Sequence, residues 1–389
     1  MVLLTCTVTA TAGRQSRHLV RRLQRDHPGA RVVVTGCDVQ MAPLAYAREG
    51  LQVVERAQLA GLARRLDSVT GVGPAISPGQ PLPSPDAGAF CLGYRQSQPG
   101  RIRGLLKVQD GCDAHCTYCI VPQTRGRPRS LPIRQARELW RQLGDGETAE
   151  VVLTGVHLGR YGQDLTPPAD LLELVIALLA AHPVPRLRLS SLEVSEVNDG
   201  LLGLIAKEPR LCDHLHIPLQ SGSDRLLQAM GRHYQAAIYA ARVRNVAMAL
   251  PWACLGTDVI VGMPGETDQD FALTEELIVS LPLAYLHVFP YSPRPGTPAA
   301  TWPSRVAGPL AKARAARLRA LSRQMRLAFL AGQEGRELEA VVEASGLART
   351  GNYCLVRLDQ PAPLGSLVRV RLGRQLPGRQ EPLVAGRVL

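Results

Sequence analysis

At 389 residues the chain is long enough for two or three domains, and its longest apolar run, Leu171 to Ala181, is interrupted by Glu173 and too short to span a bilayer. No cationic segment leads into an apolar run and a cleavage site at the N-terminus, so a cytoplasmic location without a membrane partner is expected. The formal net charge of +12 rests almost wholly on arginine, with lysine only at 107, 207 and 312, and arginine forks favour phosphate-rich partners such as nucleic acid.

Taken in chain order, Val2–Leu4 reads as a strand, Arg14–Asp26 as a helix and Arg31–Thr35 as a buried strand. That alternation predicts parallel strands joined by a helical crossover over residues 1–70. Cys6 and Cys37 each follow one of these strands, so both thiols are expected at the same sheet edge. Residues 71–100 form a linker, the part over 71–89 being rich in Pro, Gly and Ser.

Strand and helix alternate again over 101–307. The strand candidates are "GLLKVQ", "EVVLTG", "RLRLSSL", "HLHIPL", "CLGTDVIVG" and "YLHVFPY", with helices between them such as Pro132–Leu143, Ala169–Ala181 and Asp224–Met230. Six such strands suit a barrel or an open part-barrel, with chemistry at the C-terminal strand ends. Gly155, Gly159 and Gly162 in "TGVHLGRYG" are expected to let backbone approach a ligand. Glu193 is placed to meet a ribose or an amino group, and Gln220 and Ser221 to hydrogen-bond at the barrel mouth. His214 and His216 are read as facing opposite sides of their strand. Residues 308–333 form a basic connecting helix, and 334–389 show short strands between Gly/Pro turns, as in a small β-barrel that binds oligonucleotides.

Three of the nine cysteines, Cys112, Cys116 and Cys119, are crowded into "GCDAHCTYCIVP". An odd, uneven set of cysteines in a reducing compartment points to metal or catalysis rather than a disulfide framework. Structural zinc takes four ligands, and His115 is wedged inside the loop; chance burial of three thiols suits such a polar loop poorly. An iron–sulfur cluster takes thiolates, and three of them leave one iron of a [4Fe–4S] cube open to a chelating ligand.

With Tyr118 before its last cysteine, the C-x3-C-x2-C spacing resembles the radical S-adenosylmethionine superfamily. "LKVQDGCDAHCTYCIVPQTRGRPRS", "VVLTGVHLGRYGQDL", "LRLSSLEVSEV", "HLHIPLQSGSDRLLQAMGRHY", "TDVIVGMPGETDQDF" and "LHVFPYSPRPGTPAA" are similar to the methylthiotransferases. The likeness is greatest to the branch acting on N6-threonylcarbamoyladenosine at tRNA position 37, and covers residues 2–45 and those from about 100 to 389.

The resemblance implies an α/β protein: a radical SAM (β/α)6 part-barrel, preceded by a parallel α/β cluster-binding domain and followed by a TRAM-like RNA-binding barrel. It implies a [4Fe–4S] cluster on Cys112, Cys116 and Cys119, with S-adenosyl-L-methionine held beside Tyr118, Gly155, Glu193 and Gln220. Cys6 and Cys37 correspond to ligands of an auxiliary [4Fe–4S] cluster. The family's earlier glycine–cysteine strand has no counterpart and Leu4 replaces its usual asparagine, so a truncated first domain and an incomplete auxiliary cluster are expected. The implied enzyme is a tRNA methylthiotransferase that grips the anticodon arm and depends on cellular electron and sulfur donors. The alternatives are isopentenyladenosine in tRNA or a ribosomal-protein aspartate as substrate, or a tRNA-binding homologue without sulfur transfer.

Overall fold

The computed structural model describes residues 1–47, 51–54, 102–144, 148–181, 186–377 and 381–389. The expected linker over 71–100, with Cys91, lies outside the described residues, as does the stretch 55–70. Among the described residues no helix is long and apolar enough to cross a membrane.

The strands run in chain order as β1 (Val2–Thr5), β2 (Val33–Gly36), β3 (Gln52–Val53), β4 (Arg103–Lys107), β5 (Gln109–Asp110), β6 (Arg129–Ser130), β7 (Glu150–Thr154) and β8 (Arg186–Leu189). They continue as β9 (His214–His216), β10 (Cys254–Val261), β11 (Tyr285–Pro290), β12 (Glu337–Ala344), β13 (Leu347–Thr350), β14 (Leu355–Leu358), β15 (Leu367–Leu376) and β16 (Leu383–Val388). Contacts divide the chain into two compact units. One comprises Met1–Leu92, Asp110–Arg129 and Ser292–Trp302; the other comprises Gly93–Gln109, Ser130–Tyr291 and Pro303–Leu389.

In the first unit β1, β2 and β3 form a parallel sheet in that order. Helix Ala10–Asp26 begins earlier than the expected Arg14, because the Thr9 hydroxyl caps it by accepting from the Ala12 amide at 3.0 Å. Val20 of that helix packs with Val32, Val34, Val39, Tyr46, Leu51 and Val53 in a small apolar core.

The second unit holds the part-barrel. Strands β4, β7 and β8 form one parallel sheet and β9, β10 and β11 another. The two are stitched where the Leu187 amide donates to the Arg210 carbonyl (2.7 Å) and the Cys212 amide to the Leu187 carbonyl (2.9 Å). The six strands therefore follow one another in the order β4-β7-β8-β9-β10-β11, with helices in the crossovers, as the alternation of the sequence required. Helix Gly308–Ala331 then leads into a closed antiparallel-rich barrel, β12-β13-β14-β16-β15, around Ala340, Val342, Ala348, Val356, Val370 and Val384.

The N-terminal strand ends of the part-barrel are closed by charge. Glu150, fully buried at the start of β7, accepts from Arg186 (Nε 3.0 Å, Nη2 2.6 Å) and from Arg188 (Nε 2.8 Å, Nη2 3.0 Å), while Arg103 Nε lies 3.4 Å away. These arginines hold the Glu150 carboxyl far below the usual carboxylate range despite its burial. Their remaining donors reach the small barrel: Arg186 bonds the Glu339 and Arg349 carbonyls (3.1 and 2.9 Å) and Arg188 that of Gly351 (2.8 Å). Tyr353, in a left-handed conformation at φ 68°, presents its ring to Arg188 (4.9 Å) and Arg349 (4.6 Å) and stacks on His214 at 4.7 Å.

Glu150→Gln should cost about 3–5 kcal/mol, because it leaves two buried guanidinium groups without a counter-charge. The expected outcome is a clear fall in the unfolding midpoint, with amide-exchange protection lost first in β12 to β14. An unchanged midpoint would show that the arginines are held by the carbonyls alone.

Candidate cluster and cofactor site

Cys6 and Cys37 are placed by the register of β1 and β2, in which Thr5 lies opposite Gly36, so each cysteine directly follows a paired residue at the same sheet edge. Gly36 has φ 111°, and a Cβ there would collide with the Thr5 carbonyl oxygen; only glycine lets the strands approach so closely. Cys37 is buried at the head of the short helix Cys37–Met41, and Cys6 is exposed. Beside Cys37, Asp38 is buried with Arg17 at 2.5 Å and the Tyr46 hydroxyl at 2.7 Å, and burial beside that carboxylate pushes the Tyr46 pKa well up.

The loop carrying Cys112, Cys116 and Cys119 belongs to the same unit. It is closed at its base: the Cys112 amide donates to the Gly126 carbonyl at 3.0 Å, and Gly111 (φ 74°) takes a conformation in which a Cβ would strike the Arg127 carbonyl. Within it the Cys119 amide turns back to the Cys116 carbonyl at 3.0 Å. All three thiols are half-buried and none forms a disulfide. The helix Val121–Arg125 follows, and its Arg125 bonds Asp110 at 3.0 Å; burial lowers the Arg125 pKa, but the neighbouring Cys37 and Asp110 raise it overall. Arg125 thus joins the two cysteine sets. Tyr118, half-buried, sits on this loop, in a different unit from the other expected cofactor residues.

Segment 292–302, whose role the sequence did not disclose, ties these parts together. The Ala10 amide donates to the Ser292 hydroxyl at 2.9 Å, and Arg294 bonds the Thr7 hydroxyl. On the loop side, the Ala299 amide donates to the Thr117 carbonyl (2.9 Å) and Gln123 to the Gly296 carbonyl (2.6 Å).

In the larger unit Gly155, Glu193 and Gln220 all follow the C-terminal ends of their strands, β7, β8 and β9. A Cβ on Gly155 would lie 3.0 Å from Gln109 Cβ, and the Gln109 side chain accepts from the His157 amide at 2.8 Å. Gly159 makes room for protein rather than for a ligand, since a Cβ there would collide with the Glu196 carboxylate. Glu196 Oε1 lies 2.7 Å from His157 Nε2, and its other oxygen accepts from the Glu193 amide at 2.9 Å. The Glu193 carboxylate pairs with Arg232, whose guanidinium lies 5.2 Å from the Tyr234 ring. His157, Glu196 and Arg232 were not singled out from the sequence, since no spacing links three separate motifs.

Gln220 is buried at φ 67°, uncommon for a residue with a side chain, and is held there because its amide donates to the Asp258 carbonyl (2.8 Å) and its carbonyl accepts from the Ile260 amide (3.0 Å). Ser221 faces Thr274 at 3.3 Å, inside the protein. His214 and His216 do not face opposite sides. Positions i and i+2 of a strand share a face, and both rings reach the Tyr285 hydroxyl, at 2.9 and 3.1 Å.

The donor set on the loop suits an iron–sulfur cluster: three free, half-buried thiols in one turn pinned by backbone bonds. Cys212, Cys254 and Cys354 are buried elsewhere, and burial pushes them up to about 11, about 12 and about 11, so they are packing residues.

Comparison with known proteins bears on the same stretches. Residues 106–278 match the Radical SAM superfamily, and residues 1–54 match the Uncharacterized protein family UPF0004. The chain is 33% identical over 373 residues, 95% of its length and 86% of the relative's, to a threonylcarbamoyladenosine tRNA methylthiotransferase of Rickettsia prowazekii. It is 34% identical, over 95% of the chain and 90% of the relative, to the protein of the same name from Aquifex aeolicus. Among solved structures, the radical S-adenosylmethionine methyltransferase TsrM of Kitasatospora setae superposes with a TM-score of 0.58 at 17% identity, over 77% of this chain and 65% of that one; the likeness is one of fold.

Iodoacetamide at about pH 8 should label Cys6 in the native, cluster-free protein, while Cys212, Cys254 and Cys354 stay unlabelled until the chain is denatured. Peptide mapping by mass spectrometry checks this.

Proposed function

The chain belongs to the radical S-adenosylmethionine tRNA methylthiotransferases, and we propose that its substrate is N6-threonylcarbamoyladenosine at position 37 of tRNA, which receives a methylthio group on C2. The observation that carries this reading is similarity along 95% of the chain to relatives named for that substrate, in a chain whose loop cysteines lie together on one pinned turn. Relatives named tRNA-2-methylthio-N(6)-dimethylallyladenosine synthase also match, but over 70% of the chain and 62% of the relative from Desulfitobacterium hafniense. The threonylcarbamoyl reading is therefore preferred.

In this reading Cys112, Cys116 and Cys119 hold a [4Fe–4S] cluster, and S-adenosylmethionine bound there supplies the radical that removes hydrogen from carbon. Tyr118 lies beside the thiols in sequence. Gly155 follows β7, and its missing Cβ makes room for Gln109 and Leu158 of the protein itself, so it would meet a ligand only through its backbone. The Glu193–Arg232 pair offers a fixed carboxylate and guanidinium to the polar groups of a bound ligand, and His157–Glu196 braces the loop that carries it. Buried Gln220, fixed by its backbone bonds to β10, belongs to the same set of strand ends. Cys6 and Cys37 supply two thiolates toward an auxiliary cluster, and their emergence at one edge supports that role. The chemistry also calls for an electron donor and a sulfur donor.

The C-terminal barrel serves as the RNA grip, a TRAM-like role, and its basic groove supports this. A cavity of about 390 Å³ on its surface is lined by Arg357, Arg371 and Arg387, together with Asp359 and Gly373. Elsewhere on this barrel Arg349 is buried against Glu343 and Glu381, and Arg369 pairs with Glu337, which Arg371 also reaches from the groove. Arg379 lies outside the described residues. Removing residues 334–389 is not a clean test of the grip, since Arg186 and Arg188 would lose their carbonyl partners.

Anaerobically reconstituted protein with dithionite and S-adenosylmethionine should release 5′-deoxyadenosine, and Cys116→Ala should release none. Given tRNA, it should convert threonylcarbamoyl-modified adenosine and leave the dimethylallyl nucleoside untouched; the reverse preference would move the chain to the neighbouring branch. Separately, the Arg357→Gln/Arg387→Gln variant should weaken tRNA binding and flatten the slope of log affinity against log salt by about two, one counterion for each lost phosphate contact. Its 5′-deoxyadenosine release without tRNA should stay at the wild-type level.

A further inference from the structure

We propose that His216, Asp258 and His287 form a site for a divalent first-row transition-metal ion in the part-barrel, built without a cysteine ligand. The three residues come from neighbouring parallel strands, with His216 opposite Gly256 and Asp258 opposite His287. Asp258 Oδ1 lies 2.8 Å from His216 Nε2 and 3.3 Å from His287 Nδ1, and all three donor atoms fall within 4.8 Å of one another. Donors bound to one ion at ~2.0–2.1 Å stand roughly 2.9–3.4 Å apart when adjacent, so a small movement of the exposed His287 accommodates an ion among them. Two imidazoles and a carboxylate are a set that suits zinc, iron or manganese.

The support behind these donors is what distinguishes a site from a chance meeting of polar side chains. His216 is oriented through its other ring nitrogen, Nδ1, which lies 3.1 Å from the Tyr285 hydroxyl; that hydroxyl is in turn 2.9 Å from His214 Nε2. Metal-binding histidines are characteristically held in this way. Tyr285 reaches its position because residue 256 is glycine, as a Cβ there would collide with the phenol ring.

Exposure is graded across the three ligands. The side chains of His216, Asp258 and His287 are 7%, 23% and 56% exposed. One face of the ion is thus sealed by protein and the other is open, as in sites that take an exchangeable ligand rather than purely structural ones. The open position would take an oxygen donor such as water or a carboxylate. Phe289, two residues beyond His287 on β11 and 41% exposed, gives that open side an apolar wall.

The test uses the full chain with its iron–sulfur clusters reconstituted anaerobically and zinc as the probe, followed by equilibrium dialysis with radioactive zinc and by zinc X-ray absorption. Wild-type protein should bind one zinc more than either Asp258→Asn or His287→Gln, and the absorption should show nitrogen and oxygen neighbours that include imidazole. Zinc bound instead at thiols would show sulfur neighbours and disappear in Cys6→Ser/Cys37→Ser. Equal zinc stoichiometry in wild type and both variants, or a first shell of sulfur alone, overturns the proposal and leaves the three side chains as a hydrogen-bonded cluster. His287 is largely exposed, so His287→Gln leaves the fold intact, and the wild-type absorption decides the matter without any variant.

Discussion

One buried carboxylate organises the larger unit. Glu150 has no water to solvate it, and a bare ion in that place would cost several kcal/mol. Two arginines from the next strand answer it, and each brings more donors than the carboxylate can use. The surplus must also be satisfied in a dry place. Carbonyls of residues 339 and 349–351 supply the partners, which is why the small barrel is seated against the strand starts rather than tethered loosely by the helix Gly308–Ala331. Arg326 of that helix adds a further clamp, bonding the Tyr353 carbonyl at 2.6 Å.

The cost of that arrangement falls on one residue. Tyr353 adopts a left-handed backbone that a side chain disfavours, and the surroundings over-determine it: guanidinium groups on its ring, a histidine stacked on its face and a guanidinium on its carbonyl. Gln220 is strained in the same sense beside β10, where two backbone bonds lock it to the neighbouring strand. Among the described residues three that bear side chains have positive φ, Gln220, Ser304 and Tyr353; Tyr353 fixes the barrel base and Gln220 shapes the turn after β9.

Much of this was legible in the sequence. The six-fold alternation of strand and helix, the basic helix and the terminal barrel follow from periodicity, because a buried parallel strand and an amphipathic helix leave different marks. The cysteine loop was legible because three thiols in so short a polar stretch have few other uses. What was hidden are relationships between distant segments. Nothing in "YSPRPGTPAA" says that Arg294 will bond Thr7 or that Ala299 will hold Thr117. Arginines look alike in a sequence: Arg186 and Arg188 are buried struts, Arg349 is neutralised by two glutamates, and Arg357 and Arg387 line a groove. The error over His214 and His216 was of another kind, since the period of a strand already places such a pair on one face.

Position along a strand sorts the polar residues by what they do. At the strand starts Glu150, Arg186 and Arg188 answer one another, and every charge is spent on holding protein to protein. At the strand ends Glu193 carries a carboxylate paired with Arg232, Gln220 a left-handed backbone, and Gly155 a bare Cα against which Gln109 and Leu158 pack. Between these levels, the His214–Tyr285–His216–Asp258–His287 column runs from a ring stacked on the barrel base to an imidazole that is mostly exposed. A column of that polarity is poor packing material, because apolar side chains would fill the same space without needing partners. What makes it tolerable is that its members satisfy one another: the Tyr285 hydroxyl answers His214 and His216, and the Asp258 carboxylate answers His216 and His287.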